Sequence, residues 1–465
     1  MKNDLNTEVK NEVPRGNGLI DLFWSVFATG QDKPPCSDDS GVITKTFNKF
    51  RWQVFSSITL GYALFYVLRL NFSVIKKPLM AAGILNAQQL GIMGSVFFIT
   101  YGLGKFVNSF LADRMNNKRF FALGLFLSSI ITVLMGFCNE FVPLVVLWGI
   151  NGWFQSFGAG PCIVSLNQWF SNKERGTFYG IWFTSHNLGA AFTYVATATI
   201  VSAYSWKLGF IIPGIFCLVG SILIYFFMHD RPETYGLPNV ADFKNDHAAV
   251  VEKDKSVGAL QWSVVKRPAV WILGLSSLCC YIARYAIESW GIIYLTEAKG
   301  YSTIGASGVL GVMQFAGIFG ALTCGLVSDK FFNHKRNMPA LIYGVLYAAA
   351  IAAFLWAPAN PTTDMLSMCV YGFTMGALVC YLGGLMAVDI CPKRATGAAM
   401  GMIGLLSYFG AALQEVVSGY LINAHLTIVN GKKIYDFALA SDFWVGSAVL
   451  SFLLAAMVWN VKAHD

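Results

Sequence analysis

Gly104-Lys-Phe-Val-Asn-Ser-Phe-Leu-Ala-Asp113-Arg114 closes one long apolar run, and Lys118-Arg119 follow just beyond it. The pattern returns 216 residues later (113 to 329) as Gly320-Ala-Leu-Thr-Cys-Gly-Leu-Val-Ser-Asp329-Lys330, then Lys335-Arg336. Arg69, inside the apolar run before the first copy, has its counterpart at Arg284, 215 residues on. Lys173-Glu-Arg-Gly176 opens the fifth apolar run, and Pro392-Lys-Arg-Ala-Thr-Gly397 opens the eleventh. A repeat that keeps an arginine in register with a loop motif describes two structurally equivalent halves.

The composition says what surrounds those halves. Of 465 residues, 55% are hydrophobic and 12% charged. That is half the charge of an average soluble domain, and the mean hydropathy is +0.55. Too few charges remain to solvate a globule of this size. The chain therefore reads as an all-α membrane protein that presents an apolar exterior to the lipid bilayer. Twelve runs between positions 52 and 461 reach the roughly 20 residues needed to cross hydrocarbon. The fourth covers 143–169 and the fifth 177–203. The long hydrophilic break at 229–267 divides them six plus six. Four parts result: a cytosolic tail 1–50, a six-helix bundle 51–228, a cytosolic loop 229–267 and a second bundle 268–465. The ten cysteines include no Cys-x-x-Cys and read as small packing residues, so neither a metal nor a cofactor is expected.

The net charge of +8 does not point to nucleic acid, because it is sorted by loop. The tail, the even-numbered loops and the C-terminus carry 24 of the 33 Lys and Arg, and the odd-numbered loops carry 6. Both termini are thus expected in the cytoplasm, with a bacterial inner membrane as the setting. Three basic residues are left inside spans: Arg69, Lys105 and Arg284. Arg69 lies 18 residues past Arg51, and Arg284 lies 17 past Arg267. Both therefore sit at about 26 Å from their basic flanks. A guanidinium at that depth needs a cavity or a partner. Two forks converging from equivalent halves suit a phosphate or carboxylate. The competing reading pairs each arginine with a carboxylate. Glu288, four residues past Arg284 on the same helix face, makes that reading live for Arg284. Lys105 either faces the cavity or snorkels to the interface. His186, in Trp182-Phe-Thr-Ser-His-Asn187, either bonds between helices or senses substrate charge.

Twelve spans, a long central loop and the Gly…Asp-Arg…Lys-Arg motif resemble the major facilitator superfamily. The resemblance implies two six-helix bundles around a central cavity. It gives Asp113 with Arg114, and Asp329 in the second half, a structural or gating role at the inner helix ends. Further segments are similar to the organophosphate:phosphate antiporter family. They are Gly61-Tyr-Ala-Leu-Phe-Tyr66 leading to Arg69-Leu-Asn71-Phe72, Thr100-Tyr-Gly102-Leu-Gly-Lys105, Ser185-His-Asn-Leu-Gly189, Asp230-Arg-Pro-Glu-Thr-Tyr-Gly-Leu-Pro238 and Tyr281-Ile-Ala-Arg284 with Trp290. This resemblance covers residues 50–460 and is strongest for the hexose-phosphate members. It implies that Arg69 and Arg284 bind a phosphoryl group and that Lys105 and His186 help. Two positions depart from the pattern. Leu70 stands where the family carries Lys. Gly397-Ala-Ala-Met400-Gly-Met-Ile403-Gly404 lacks the Asp and Lys of the hexose-phosphate transporter on span eleven.

The expected activity is exchange of a sugar phosphate, glucose-6-phosphate first, for inorganic phosphate by a monomer. Two unpaired arginines would resist cavity closure until a dianion neutralises them. Tyr66, Tyr281 and Trp290 would hold the sugar or simply pack helices. The rival is a membrane sensor for external glucose-6-phosphate that signals to a sensor kinase and transports little. A proton-coupled symporter using Glu288 or Glu415 is a third reading, disfavoured by the cationic cavity. Enzyme activity has no support: Tyr101-Gly-Leu-Gly-Lys105-Phe lacks the upstream glycine and the Ser/Thr of a phosphate-binding loop.

Overall fold

A computed structural model describes residues 27–112, 115–246, 262–332, 336–386, 396–429 and 432–458. Asp113, Arg114 and the side chain of Asp329 lie outside that description, as do residues 1–26 of the tail. The first half contains α1 (Ser40–Ala81), α2 (Ala87–Ala112), α3 (Asn117–Met135), α4 (Phe141–Gln155), α5 (Ala159–Trp169), α6 (Asn172–Ala203) and α7 (Trp206–Phe227). A short α8 (Val240–Lys244) follows. The second half contains α9 (Pro268–Glu297), α10 (Thr303–Phe331), α11 (Asn337–Trp356), α12 (Pro361–Cys380), α13 (Thr396–Ala424) and α14 (Ala438–Met457). One hairpin, β1 (Leu426–Val429) with β2 (Lys432–Tyr435), joins the last two helices.

Ten of these helices are long and apolar enough to cross a membrane. Two of the twelve expected spans take a different form. The run 143–169 is broken into α4 and α5. Pro161 has no N–H to give the carbonyl four residues back, so the helix restarts after Gly158. The run 177–203 lies within α6, where His186, Asn187 and several threonines lower its hydropathy. The helices expose large apolar side chains outward, among them Phe192, Phe216, Phe226 and Leu453. That is the arrangement lipid requires and water opposes. The first helix begins within the segment read as the tail. Asp39 caps α1 through its carboxylate on the Gly41 N–H (2.7 Å), so the helix starts at Ser40. At 42 residues α1 is about 63 Å long, twice a hydrocarbon core.

The halves meet through α2 against α13, α6 against α10, and α1 against α9. The contact is tight at one end only. A Cβ on Gly91 would lie 2.4 Å from the Glu415 carbonyl oxygen, and one on Gly419 would lie 2.7 Å from that of Ala87. At the end that carries the basic loops, Gly176 and Gly180 of α6, Gly325 of α10, and Gly401 and Gly404 of α13 have open space where a Cβ would stand. The helices are therefore sealed at the far end and splayed at the basic end.

A collar of loops closes over the first half at the basic end. The Asp230 carboxylate accepts from the Asn117 N–H (3.0 Å) and from Thr29 Oγ1 (3.1 Å), while its carbonyl accepts from Trp169 Nε1 (2.9 Å). It thereby joins α3, the N-terminal segment and α5. Next to it, His229 stacks on Phe50 at 3.8 Å and bonds through Nε2 to Gln53. Burial, then the charges of Lys118 and Lys49, push the His229 imidazole down to about 4. The unfolded chain protonates the same ring near pH 6.5. Between those values the unfolded state binds the extra proton, so stability falls as pH is lowered through that window. The thermal midpoint in detergent should drop from pH 6.5 toward 4, and His229→Gln should flatten that part of the curve. An identical slope in the variant would contradict the assignment.

Candidate functional site

Arg69 and Arg284 reach one central site from α1 and α9. His186, Tyr66 and Tyr285 each lie within electrostatic reach of both guanidinium groups. Arg69 is buried at 4% exposure with an aromatic lining. Its Cζ stands 4.2 Å from the Tyr101 ring centroid, 4.8 Å from Tyr66 and 5.6 Å from Phe97. Its Nε and Nη1 have no hydrogen-bond partner. Among the described residues no carboxylate lies within ion-pair distance of it. The Tyr101 side chain also hydrogen-bonds this guanidinium, and Nε and Nη1 keep their donors free for an incoming acceptor.

Arg284 is held differently. Its Nε donates to Glu288 Oε1 at 3.0 Å, and that oxygen also accepts from Gln314 Nε2 at 3.1 Å. Arg284 Nη2 and Glu288 Oε2 remain without partners. The expectation of two unpaired arginines is thus corrected: the i,i+4 carboxylate compensates Arg284 and leaves Arg69 bare. Tyr194 of the first half donates to the Glu288 carbonyl at 2.9 Å, so the pair sits on the seam between halves.

The remaining expected residues divide by position. Lys105 is half-buried, 5.1 Å from the Tyr408 ring, toward the splayed end. Tyr281 is half-buried, with its ring 5.7 Å from Tyr285 and 5.7 Å from Tyr408. His186 stacks obliquely on Tyr66 at 5.2 Å, and its Nδ1–H donates to the Phe183 carbonyl. Trp290 does not join this ring. It is fully buried toward the sealed end, and its Nε1 donates to Glu415 Oε2 at 2.9 Å.

Four contributors escaped the sequence reading. Tyr101, Tyr285 and Tyr408 complete the aromatic ring, and nothing in their spacing separates them from packing residues. Lys76, counted above with the outer loop, is on α1 with no exposed surface, paired with Glu415 at 2.9 Å. Its position seven residues past Arg69, on the same helix face, was the available signal. Between that pair and Arg69 lies a cavity of about 20 Å³, lined by Arg69, Ser73, Phe97, Tyr285, Glu288 and Glu415. It has room for about one water.

The charges therefore sum unevenly. Glu288 answers Arg284 and Glu415 answers Lys76, while Arg69 and Lys105 have no acidic partner among the described residues. Two uncompensated cations beside an opening can hold a dianion reversibly.

The Major Facilitator Superfamily model matches residues 58–414, and the chain belongs to that family. It is 31% identical over 387 residues to the membrane sensor protein UhpC of Salmonella typhimurium, covering 82% of this chain and 87% of that one. It is 30% identical to a probable hexose phosphate transport protein of Chlamydia trachomatis, covering 96% and 99%. It is 32% identical to the glycerol-3-phosphate transporter of Haemophilus influenzae, covering 80% and 85%. These relatives place it in the organophosphate:phosphate antiporter branch, which consists of membrane carriers and sensors and not of enzymes. Among solved structures, a bacterial homolog of the lysosomal transporter Spinster, inward-facing and unoccupied, superposes with a TM-score of 0.70 at 17% identity, covering 90% and 99%. That likeness bears on the fold alone.

Removing one partner of a buried pair strands the other. Glu288→Ala should cost about 3–5 kcal/mol of stability, while Glu288→Gln, which keeps an acceptor for Arg284, should cost less. Thermal unfolding of the purified protein checks the order. Equal midpoints for both variants and the parent would contradict the pairing.

Proposed function

We propose that this member of the Major Facilitator Superfamily exchanges a phosphorylated sugar, glucose-6-phosphate in the first instance, for inorganic phosphate across a bacterial inner membrane. Its basic end, with both termini, faces the cytoplasm, and the chain works as a monomer. The observation that carries this reading is Arg69: a buried guanidinium with Nε and Nη1 free and no acidic partner among the described residues, beside Arg284 in a ring of tyrosines.

Closing the splayed end around an empty site would desolvate Arg69 and Lys105 together, and their repulsion opposes it. A bound phosphate dianion supplies the two missing charges. The forked donors of Arg69 then take phosphoryl oxygens, with Arg284 Nη2 opposite and Lys105 on the cytoplasmic side. The loaded carrier can rock between its two states and the empty one resists, which makes transport an exchange. Because the open volume lies toward the cytoplasm, the phosphoryl group binds deep. The sugar then trails toward half-buried Tyr281 and buried Tyr408. Glu288 refines the scheme: it reduces the cost of burying Arg284 and leaves Arg69 as the charge that must be answered.

One observation favours the sensor reading. Met400 is 40% exposed and Ile403 fully buried where the hexose-phosphate transporter carries a charged pair. A partner kinase belongs to that reading only.

Proteoliposomes loaded with inorganic phosphate should take up labelled glucose-6-phosphate, and phosphate-free ones should not. Arg69→Lys should lower the exchange rate by at least about tenfold, because a point charge does not replace a bidentate fork. Uptake indifferent to internal phosphate, or unchanged in that variant, would overturn the exchange mechanism. Binding without uptake would establish the sensor.

A further inference from the structure

A second charged cluster, separate from the arginine site, crosses the seam at the sealed end. Lys76 Nζ of α1 contacts Glu415 Oε2 of α13 at 2.9 Å and donates to Ser289 Oγ of α9. Ser289 in turn donates to Glu415 Oε1, and Trp290 Nε1 donates to Glu415 Oε2 at 2.9 Å. The Lys76 side chain has no exposed surface and that of Glu415 has 2%. The Trp290 ring faces the ammonium at 4.1 Å. Gly94 of α2 makes this closeness possible, since a Cβ there would lie 2.4 Å from the Glu415 carboxyl carbon. At the mouth beyond, Lys77 pairs with Glu297 across the same seam at 3.2 Å.

Lys76 comes from the first half, and its acidic partner comes from the second. If the halves rock about the central site, opening the sealed end draws α1 and α2 away from α9 and α13. The pair must then part. Lys76 stays on α1, two turns and about 10 Å outward of Arg69 on the same face. It becomes a cation on the wall of the outward-open cavity, along the route an external anion takes to Arg69. In the closed state Glu415 occupies the place such an anion would take, and the remaining space holds about one water.

We propose that Lys76 is an anion-binding residue of the outward-facing state, and that Glu415 is the resident counter-ion that covers it when the outer end is sealed. The role rests on the reading of the substrate as a phosphate. It makes a one-sided prediction. Lys76 should contribute to affinity for external phosphate and be silent toward internal phosphate, from which the closed pair shields it.

The test uses phosphate self-exchange in right-side-out and inside-out membrane vesicles. The double variant Lys76→Met with Glu415→Gln removes both charges, leaves no buried ion unpaired and keeps acceptors for Ser289 and Trp290. Its KM for phosphate on the outer face should rise about tenfold, the loss of one charge-assisted contact. The KM on the inner face should stay within about twofold. Equal shifts on both faces, or none on the outer face, would overturn the proposal. The single variant Glu415→Gln leaves Lys76 charged and buried without its partner, so it should favour the open outer end. Spin labels at Gln88 and His425, on a background lacking the exposed Cys36 and Cys369, should then show a longer distance population than in the parent. Unchanged distances would contradict the covering role of Glu415. If the parent protein exchanges no phosphate, the substrate reading fails and the anion-binding role falls with it. The label distances still decide separately whether the ion pair holds the outer end shut.

Discussion

A cation buried in a helix bundle must be answered by an anion, and the central site of this one gathers more cations than anions. Arg69, Lys76 and Arg284 are buried and Lys105 is half-buried, while Glu288 and Glu415 are the carboxylates that reach them. The two pairs are placed unequally. Arg284–Glu288 is built within one helix and persists however the halves move. Lys76–Glu415 is built between halves, at the sealed end. Arg69 is left with ring faces and the Tyr101 side chain. Among the described residues the buried cation without an acidic partner thus lies at the centre, with half-buried Lys105 toward the basic end, where a mobile anion can answer both.

The surrounding structure serves that imbalance. Tyrosines around Arg69 offer quadrupole attraction and leave its Nε and Nη1 donors free. Glycines at Gly91, Gly94 and Gly419 let α2 and α13 approach closely enough to exclude water from Glu415. The break between α4 and α5 places Ser156 Oγ where it accepts from Asn108 Nδ2 at 2.6 Å, and ties the inner part of α2 to its own half. At the basic end the Asp230 collar links loops within the first half, so that half can move as a unit.

The large-scale plan was legible because it rests on long-range regularities: runs of apolar residues, a repeat of 216 positions and a bias of loop charge. The two arginines were legible because a guanidinium deep in a span has few explanations. The i,i+4 spacing of Glu288 announced its pairing with Arg284. What stayed hidden depends on where helices end and how halves meet. Lys76-Lys77 reads as the start of a loop, yet α1 continues to Ala81, and the partner Glu415 lies 339 residues away. Pro161 offered a visible cue for the broken fourth span. No local signal marks Tyr101, Tyr285 or Tyr408 as cavity residues, because an aromatic facing a cavity and one facing a neighbour have the same periodicity. Trp290 read as either holding the sugar or packing helices, and its N–H goes to Glu415.

Whether Arg69 receives its missing charge from the substrate is measured most directly by a structure of the protein with glucose-6-phosphate bound. The phosphoryl group should lie within hydrogen-bond distance of Arg69 Nε or Nη1, with Arg284 on its other side and the Arg284–Glu288 pair intact. A phosphoryl group held elsewhere, with Arg69 Nε and Nη1 still unpartnered, would contradict the proposed role.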